Sequence, residues 1–177
     1  MTAWQRLRLR IMRWLVPAAF QALYLAGTLF HRPRLRMLGL RRAAERRLAR
    51  GRLEAARRLA DELLFLAAQQ SPDWNTGNAL HHGHLLLGRV ALARGNVQEA
   101  GEQLLAAGRT PGSPQLNTFG PNCRLASDLL AAGQASPVLA YLEECGKFWQ
   151  MDVGRLGEWM AAIRGGRIPA FGANLAY

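Results

Sequence analysis

The chain has 177 residues, half of them apolar, which is enough for one compact domain and a further segment. Its formal net charge of +11 is unevenly distributed, because residues 1–60 hold 15 Arg against two acids and residues 61–177 balance to −2. Two cysteines, Cys123 and Cys145, do not form the disulfide framework of a small secreted domain, and we interpret both as small core residues.

The chain opens with a basic segment followed by an apolar one. Residues 1–13 carry four Arg and no acid, and residues 14–30 carry no formal charge. That apolar run is 17 residues long, at the lower limit for a helix that crosses a bilayer. Eight Arg follow between residues 32 and 50, and such a density opposes translocation. We therefore predict an N-terminal membrane-anchor or interfacial helix over residues 1–33, with the rest of the chain in the cytoplasm.

Three arrangements of this hydrophobic helix fit the sequence. It can span the membrane, lie in the interface, or pack against the remaining helices. In the first two, membrane association runs through residues 1–50, and the predicted membrane contacts are Trp4, Arg6, Arg10, Trp14, Arg32 and Arg34.

The Arg-rich segment continues into two predicted helices, from Leu35 to Arg50 and from Leu53 to about Gln69. Each has arginines on one face and Leu or Ala on the other. The Arg face is either a solvated surface or a binding surface for the phosphates of lipid or RNA. No RNA-binding signature accompanies it, so RNA binding by the N-terminal third remains a second alternative function.

The stretch from Gly77 to Pro114 predicts two helices joined by a tight turn. Apolar residues recur at helical spacing on both sides of Gly95. Gly95 is suited to the left-handed residue that ends a helix, Asn96 can cap the next one, and Glu99 stands three residues on, as a capping box requires.

Within this hairpin, Gly88, Gly95 and Ala100 fall seven and five residues apart. With Leu87, Leu104 and Ala107 around them, they resemble a tetratricopeptide repeat, in which Gly88 and Ala100 allow two helix backbones to approach closely.

Similar phrases start at Gly51 and Gly133, and the three turn glycines are 44 and 38 residues apart, where the repeat has about 34. The resemblance implies an all-α fold: a short irregular tetratricopeptide-like array of about three helical hairpins plus a C-terminal capping helix over residues 34–164. An extended tail, residues 165–177, follows. The phrases GNALHHGHLLLGR, TPGSPQLNTFGPN and IPAFGANL also resemble a family of uncharacterised bacterial repeat proteins, which brings no known activity.

The resemblance also implies a function. A repeat of this kind binds a protein or peptide partner in its concave groove, and by position in the repeat the groove residues are His82, Leu85, Arg89 and Leu92. We therefore expect an adaptor without catalytic residues or a cofactor, located at the bacterial inner membrane with its main domain in the cytoplasm.

The histidines of the central hairpin provide the alternative function, a small-molecule or metal-binding enzyme at the His81–His84 cluster. His81 and His84 can share one helix face, and His82 points about 100° away. No carboxylate lies between Asp73 and Glu99, so the Glu of a metalloprotease-type motif is missing and no metal site is predicted. A Cys123–His pair has no local signature.

Residues 110–122 read as a long polar linker. Its amides can reach the start of the central hairpin, where they either cap helices and loop backbone or form a small polar pocket. The residues of that predicted pocket are Asn75, Asn78, His81, His84, Asn117 and Asn122.

Three more helices are predicted in the C-terminal part. The first starts at Pro121, the second has Ser136 as its N-cap, and the third opens at Asp152 and ends near Arg164. In the tail, Ile168, Phe171 and Leu175 are expected to dock in the groove.

Overall fold

A computed structural model of the chain describes residues 35–70 and 74–176. Within these ranges the protein is all-helical and contains no β-strand. The chain divides into two units, residues 1–36 and residues 37–177. Almost all of the first unit lies outside the described ranges, and so does the hydrophobic helix predicted over residues 14–30.

Eight α-helices and one 3-10 turn make up the described part. Helix α1 covers residues 35–49. The others are α2 (Leu53–Ala68), α3 (Trp74–Ala93), α4 (Val97–Gly108), α5 (Pro114–Phe119), α6 (Arg124–Ala131), α7 (Ala135–Cys145), α8 (Arg155–Arg164) and the 3-10 turn Gly172–Leu175. In residues 35–70 and 74–176, no helix combines the length and apolar character that a membrane crossing needs.

The three predicted turns are confirmed. Gly51, Gly95 and Gly133 have φ of 68°, 80° and 78°, the left-handed conformation that glycine adopts without strain. At the central turn, Asn96 Oδ1 accepts the backbone N–H of Glu99 at 3.1 Å, so Asn96 is the predicted N-cap of α4.

Helix α3 lies at the centre of the packing, with α2 against one side and α4 against the other. Gly88 allows the close approach to α4: a Cβ there would lie 3.2 Å from Ala100 O and 2.4 Å from a methyl of Leu125. One buried cluster joins α1, α2 and α3 around Leu63 and Leu86. A larger one joins α3, α4, α6, α7 and α8 around Leu104, Tyr141 and Trp149.

The linker and the helices after it differ from the prediction. Residues 114–119 form the short helix α5, with Ser113 as its N-cap. Helix α6 begins at Arg124 rather than Pro121, because Pro121 O and Asn122 N bond to other parts of the chain. The cap predicted at Ser136 is also wrong, since α7 begins at Ala135 with Gln134 before it.

Helix α8 begins at Arg155, three residues after the predicted start at Asp152, whose carboxylate accepts the N–H of Leu156 at 3.2 Å.

The tail packs on the protein rather than extending freely. Phe171 is buried with its ring centroid 4.9 Å from that of Trp159, and Leu175 packs against the same core. Asn174 is also buried, and its O accepts the N–H of Cys123 at 2.7 Å. Ile168, by contrast, is 54% exposed. The tail therefore closes over the start of α6 and over α8.

Candidate functional site

A network of side-chain hydrogen bonds fixes the linker on the first turns of α3. Thr110 Oγ1 donates to Gly77 O at 2.8 Å, and Ser113 Oγ donates to Asn78 Oδ1 at 2.9 Å. A Cβ on Gly77 would lie 1.8 Å from Gly112 O, so the two backbones touch where only glycine fits. The linker therefore packs as part of the domain.

His81, one turn after Gly77 on α3, is completely buried. Its Nδ1 lies 2.9 Å from Ala107 O and must donate to that carbonyl, while its Nε2 accepts the backbone N–H of Asn122 at 3.1 Å. Both ring nitrogens are therefore used by backbone groups, and these bonds select the neutral imidazole with its proton on Nδ1. Burial is the main reason why the pKa of His81 falls from 6.5 to about 4.

The other two histidines of the cluster point to different neighbours. His84 is on the α4 side, as predicted for a residue sharing a face with His81, and its Nδ1 lies 2.9 Å from Gln103 Oε1. His82 is buried on another side of α3, and burial, followed by the nearby His81 and Arg41, lowers its pKa well below 6.5. In the part of the chain that the structure describes, no three His, Cys, Asp or Glu side chains converge as a metal site would need.

The remaining amides of the predicted pocket bond within the protein. Asn78 Nδ2 donates to Gln115 Oε1 at 3.1 Å. Asn117 Oδ1 accepts the N–H of Gln150 at 3.0 Å, and Asn122 Oδ1 accepts that of Arg124 at 3.0 Å. Asn75 is half-buried in the first turn of α3. The bonds of Asn117 and Asn122 are to backbone N–H groups of the loop and of the start of α6, whereas that of Asn78 joins two side chains.

Burial divides the four predicted groove residues into two pairs. His82 and Leu85 are buried, at 7% and 5% exposure, and Leu85 belongs to the larger core cluster. Arg89 and Leu92 are half-buried. The accessible part of the predicted groove is therefore its second half, towards the C-terminal end of α3.

Arg89 carries the charge at this place. Burial is the main reason why the pKa of its guanidinium is lowered; Asp128 on α6 raises this pKa, Arg124 on α6 lowers it, and Glu45 on α1 raises it. The side chain therefore lies within electrostatic reach of both helices. A guanidinium remains charged at neutral pH. In residues 35–70 and 74–176, no hydrogen bond or ion pair holds Arg89.

The two carboxylates near Arg89 have partners on their own helices. Glu45 Oε1 is 3.0 Å from Arg41 Nε, and Asp128 Oδ1 is 3.9 Å from Arg124 Nε. Within the described ranges, these ion pairs leave Arg89 without a carboxylate of its own.

No protein-family model matches this chain, and neither does a curated protein or a solved structure.

Both cysteines are buried, and burial raises the pKa of each thiol above its ordinary value. The Sγ of Cys123 lies 3.8 Å from Pro121 O, and the nearby His81 already uses both ring nitrogens. Such a thiol stays protonated, which disfavours a nucleophilic role.

Sequence reasoning missed one surface feature, an open groove of about 400 Å³ between α4 and the start of α7. Its lining includes Val97, Gly101 and Leu105 of α4, together with Gln134 and Pro137. The i, i+4 spacing of the three α4 residues indicates a shared face, but the sequence does not show which neighbour leaves that face open. The predicted membrane contacts Trp4, Arg6, Arg10, Trp14, Arg32 and Arg34 lie outside the described residues.

Proposed function

We propose that this chain is a tetratricopeptide-like adaptor, held at the cytoplasmic side of a bacterial membrane by its N-terminal third. It binds a protein or peptide partner at the surface around Arg89 and catalyses no reaction. Three left-handed turn glycines and the close approach of α3 and α4 at Gly88 support the repeat interpretation.

The charge of Arg89 carries the binding half of the proposal. A half-buried guanidinium, without an ion pair in the described part of the chain, strongly favours a carboxylate because a charge-assisted bond would replace lost hydration. Leu92, one turn further along α3, is partly exposed and offers an apolar contact beside it. The proposed partner is therefore a peptide segment with a carboxylate next to an apolar side chain.

Panning a random peptide library against the full-length protein tests the binding half. Enriched peptides should share an acidic residue or a free terminal carboxylate, and Arg89→Gln should weaken their binding at least about tenfold, a charge-assisted bond being worth roughly 1.5–3 kcal/mol.

Arg109→Gln is the matched control, since it removes the same charge from the exposed end of α4, 3.7 Å from Glu144. It should change the affinity less than about twofold, as surface pairs contribute little. If no peptide is enriched, or if Arg89→Gln binds the enriched peptides as well as the wild type does, the binding half is wrong.

Fractionation tests the membrane half. The full-length protein and a version that begins at Arg34 are compared after carbonate and high-salt washes of the membrane pellet. An inserted segment over residues 14–30 keeps the full-length protein in the pellet through both washes and leaves the truncated one soluble. Release by salt indicates a surface-bound helix instead. If both forms are soluble from the start, the membrane half is wrong.

A further inference from the structure

Three arginines form an exposed stripe along α1 and the turn residue that follows it. Arg42 and Arg46 are four residues apart on one face of α1, Arg50 follows after another four residues, directly beyond the end of the helix, and all three are exposed. In residues 35–70 and 74–176, none of them takes part in an ion pair, whereas the neighbouring Arg41 is bonded to Glu45. We call these three residues the arginine stripe.

Repulsion within the arginine stripe destabilises α1. Like charges at i, i+4 destabilise a helix. Cations near a helix C-terminus are favourable, and this accounts for Arg46 and Arg50 at the end of α1. It does not account for Arg42, which lies outside the last turn. An anionic surface along the stripe would remove the repulsion.

Apolar side chains are exposed on the same helical hairpin. Leu38 precedes Arg42 by four residues, so it continues the stripe, and it is 43% exposed. Phe65 on α2 is 62% exposed. Because α1 and α2 run in opposite directions from the turn at Gly51, Leu38 and Phe65 both lie at the open end of the hairpin. An apolar end beside a row of arginines fits a lipid surface better than a nucleic acid.

We propose that the arginine stripe docks on an anionic bilayer, with its guanidinium groups on the lipid phosphates and Leu38 entering the interface. The inference rests on the membrane half of the proposed function and names three arginines of the N-terminal third as the lipid contacts. The charge supports it, since residues 35–68 hold nine Arg against four acids, whereas residues 74–176 hold eight basic residues against seven acids.

The test measures binding of the full-length protein to vesicles of phosphatidylcholine, with and without anionic phosphatidylglycerol. The variant is Arg42→Gln/Arg46→Gln/Arg50→Gln. Each Arg near an anionic surface contributes about fivefold to the affinity, so the triple variant should need about 100-fold more anionic lipid for half-maximal binding. Its binding to phosphatidylcholine alone should equal that of the wild type.

A control variant removes the same number of charges elsewhere: Arg109→Gln/Arg164→Gln/Arg167→Gln, all exposed positions. It should shift binding less than about threefold. An equal loss in both variants means that only net charge matters, and this overturns the proposal. Circular dichroism confirms that both variants remain helical.

A fluorescent probe locates the contact. An environment-sensitive dye on Leu38→Cys should shift to the blue when anionic vesicles are added, while the same dye on Ile168→Cys, an exposed tail position, should not. The native cysteines are buried, so we expect the dye not to label them in the folded protein. Without a shift at residue 38, the stripe does not face the lipid and the proposal is wrong.

The remaining outcomes separate the two proposals. If the stripe variant binds anionic vesicles as the wild type does, the stripe proposal fails and membrane association through residues 1–34 stands. If the wild type binds no vesicle, both fail. If the stripe variant loses retention on single-stranded RNA but keeps its vesicle binding, the stripe is a nucleic-acid surface and the lipid proposal is overturned.

Discussion

Acid should destabilise this protein through His81, and the size of the effect follows from its surroundings. The pKa of His81 in the folded protein is lowered to about 4, against 6.5 in an unfolded chain, so the unfolded state binds a proton first as the pH falls. Stability is therefore full above pH 6.5 and decreases towards pH 4. His81 alone should lower the free energy of unfolding by about 2 kcal/mol at pH 5 and by about 3 kcal/mol at the acid limit.

The variant His81→Gln isolates this effect. A carboxamide has both a donor and an acceptor, as His81 does towards Ala107 O and Asn122 N, but it does not titrate near neutral pH. Because glutamine cannot match the geometry of both hydrogen bonds, the free energy of unfolding of His81→Gln should be lower than that of the wild type by about 1–3 kcal/mol at pH 7.5. Between pH 7.5 and pH 5, the free energy of unfolding of His81→Gln should fall by about 2 kcal/mol less than that of the wild type, because the contribution of His81 is missing.

Urea unfolding followed by circular dichroism at several pH values measures both quantities. Ile163→Val is the control, since this buried residue loses one methyl group and costs about 0.5–1.5 kcal/mol without removing a titrating group. Its pH dependence should match that of the wild type. If His81→Gln keeps the full wild-type slope, the buried neutral imidazole is not the source of the acid sensitivity and the reasoning fails.

Three further predictions concern packing, capping and thiol access. Gly88→Ala should destabilise the protein by about 1–3 kcal/mol in urea unfolding, because the new Cβ would lie 2.4 Å from Leu125 Cδ2. A Cβ at Gly157 in α8 would meet nothing within 4 Å, so Gly157→Ala should instead stabilise the protein by about 0.5–1 kcal/mol. If both alanine variants changed the free energy of unfolding equally, the packing argument would be contradicted. Asn96→Ala should cost about 1 kcal/mol through the lost N-cap of α4, and no measurable cost would mean that the cap bond contributes nothing. Both buried thiols should react with a thiol reagent only in denaturant, and fast labelling of the native protein would show that the core opens.

The helices and turns of the hairpins could be predicted because their signals are local. Gly51, Gly95 and Gly133 end helices whose apolar residues recur at helical spacing, and Asn96 lies three residues before Glu99. These patterns depend only on nearby residues along the chain. The all-α class and the order of most of the helices follow from them.

The linker could not be predicted in the same way. Residues 114–119 are helical, and Pro121 lies outside α6 with its O accepting a hydrogen bond from Nδ2 of Asn174, which is 53 residues away in sequence. The tail was predicted to enter the groove, but Phe171 instead fills a space beside Trp159. Such contacts depend on which surfaces the folded core leaves open, and local sequence patterns do not predict those surfaces.

The candidate site shows the same division. The sequence alone determined the residue types that face one side of α3 and the concentration of arginine in the first third of the chain, because helical spacing and charge can be read directly. Only the tertiary structure decided that His81 is neutral with both ring nitrogens bonded and that His82 and Leu85 are buried. It also decided that Arg89 lies near two carboxylates yet forms no ion pair within residues 35–70 and 74–176. The physical reason is that burial and hydrogen-bond partners arise from distant segments, α1, α6 and the linker, which meet only when the chain folds.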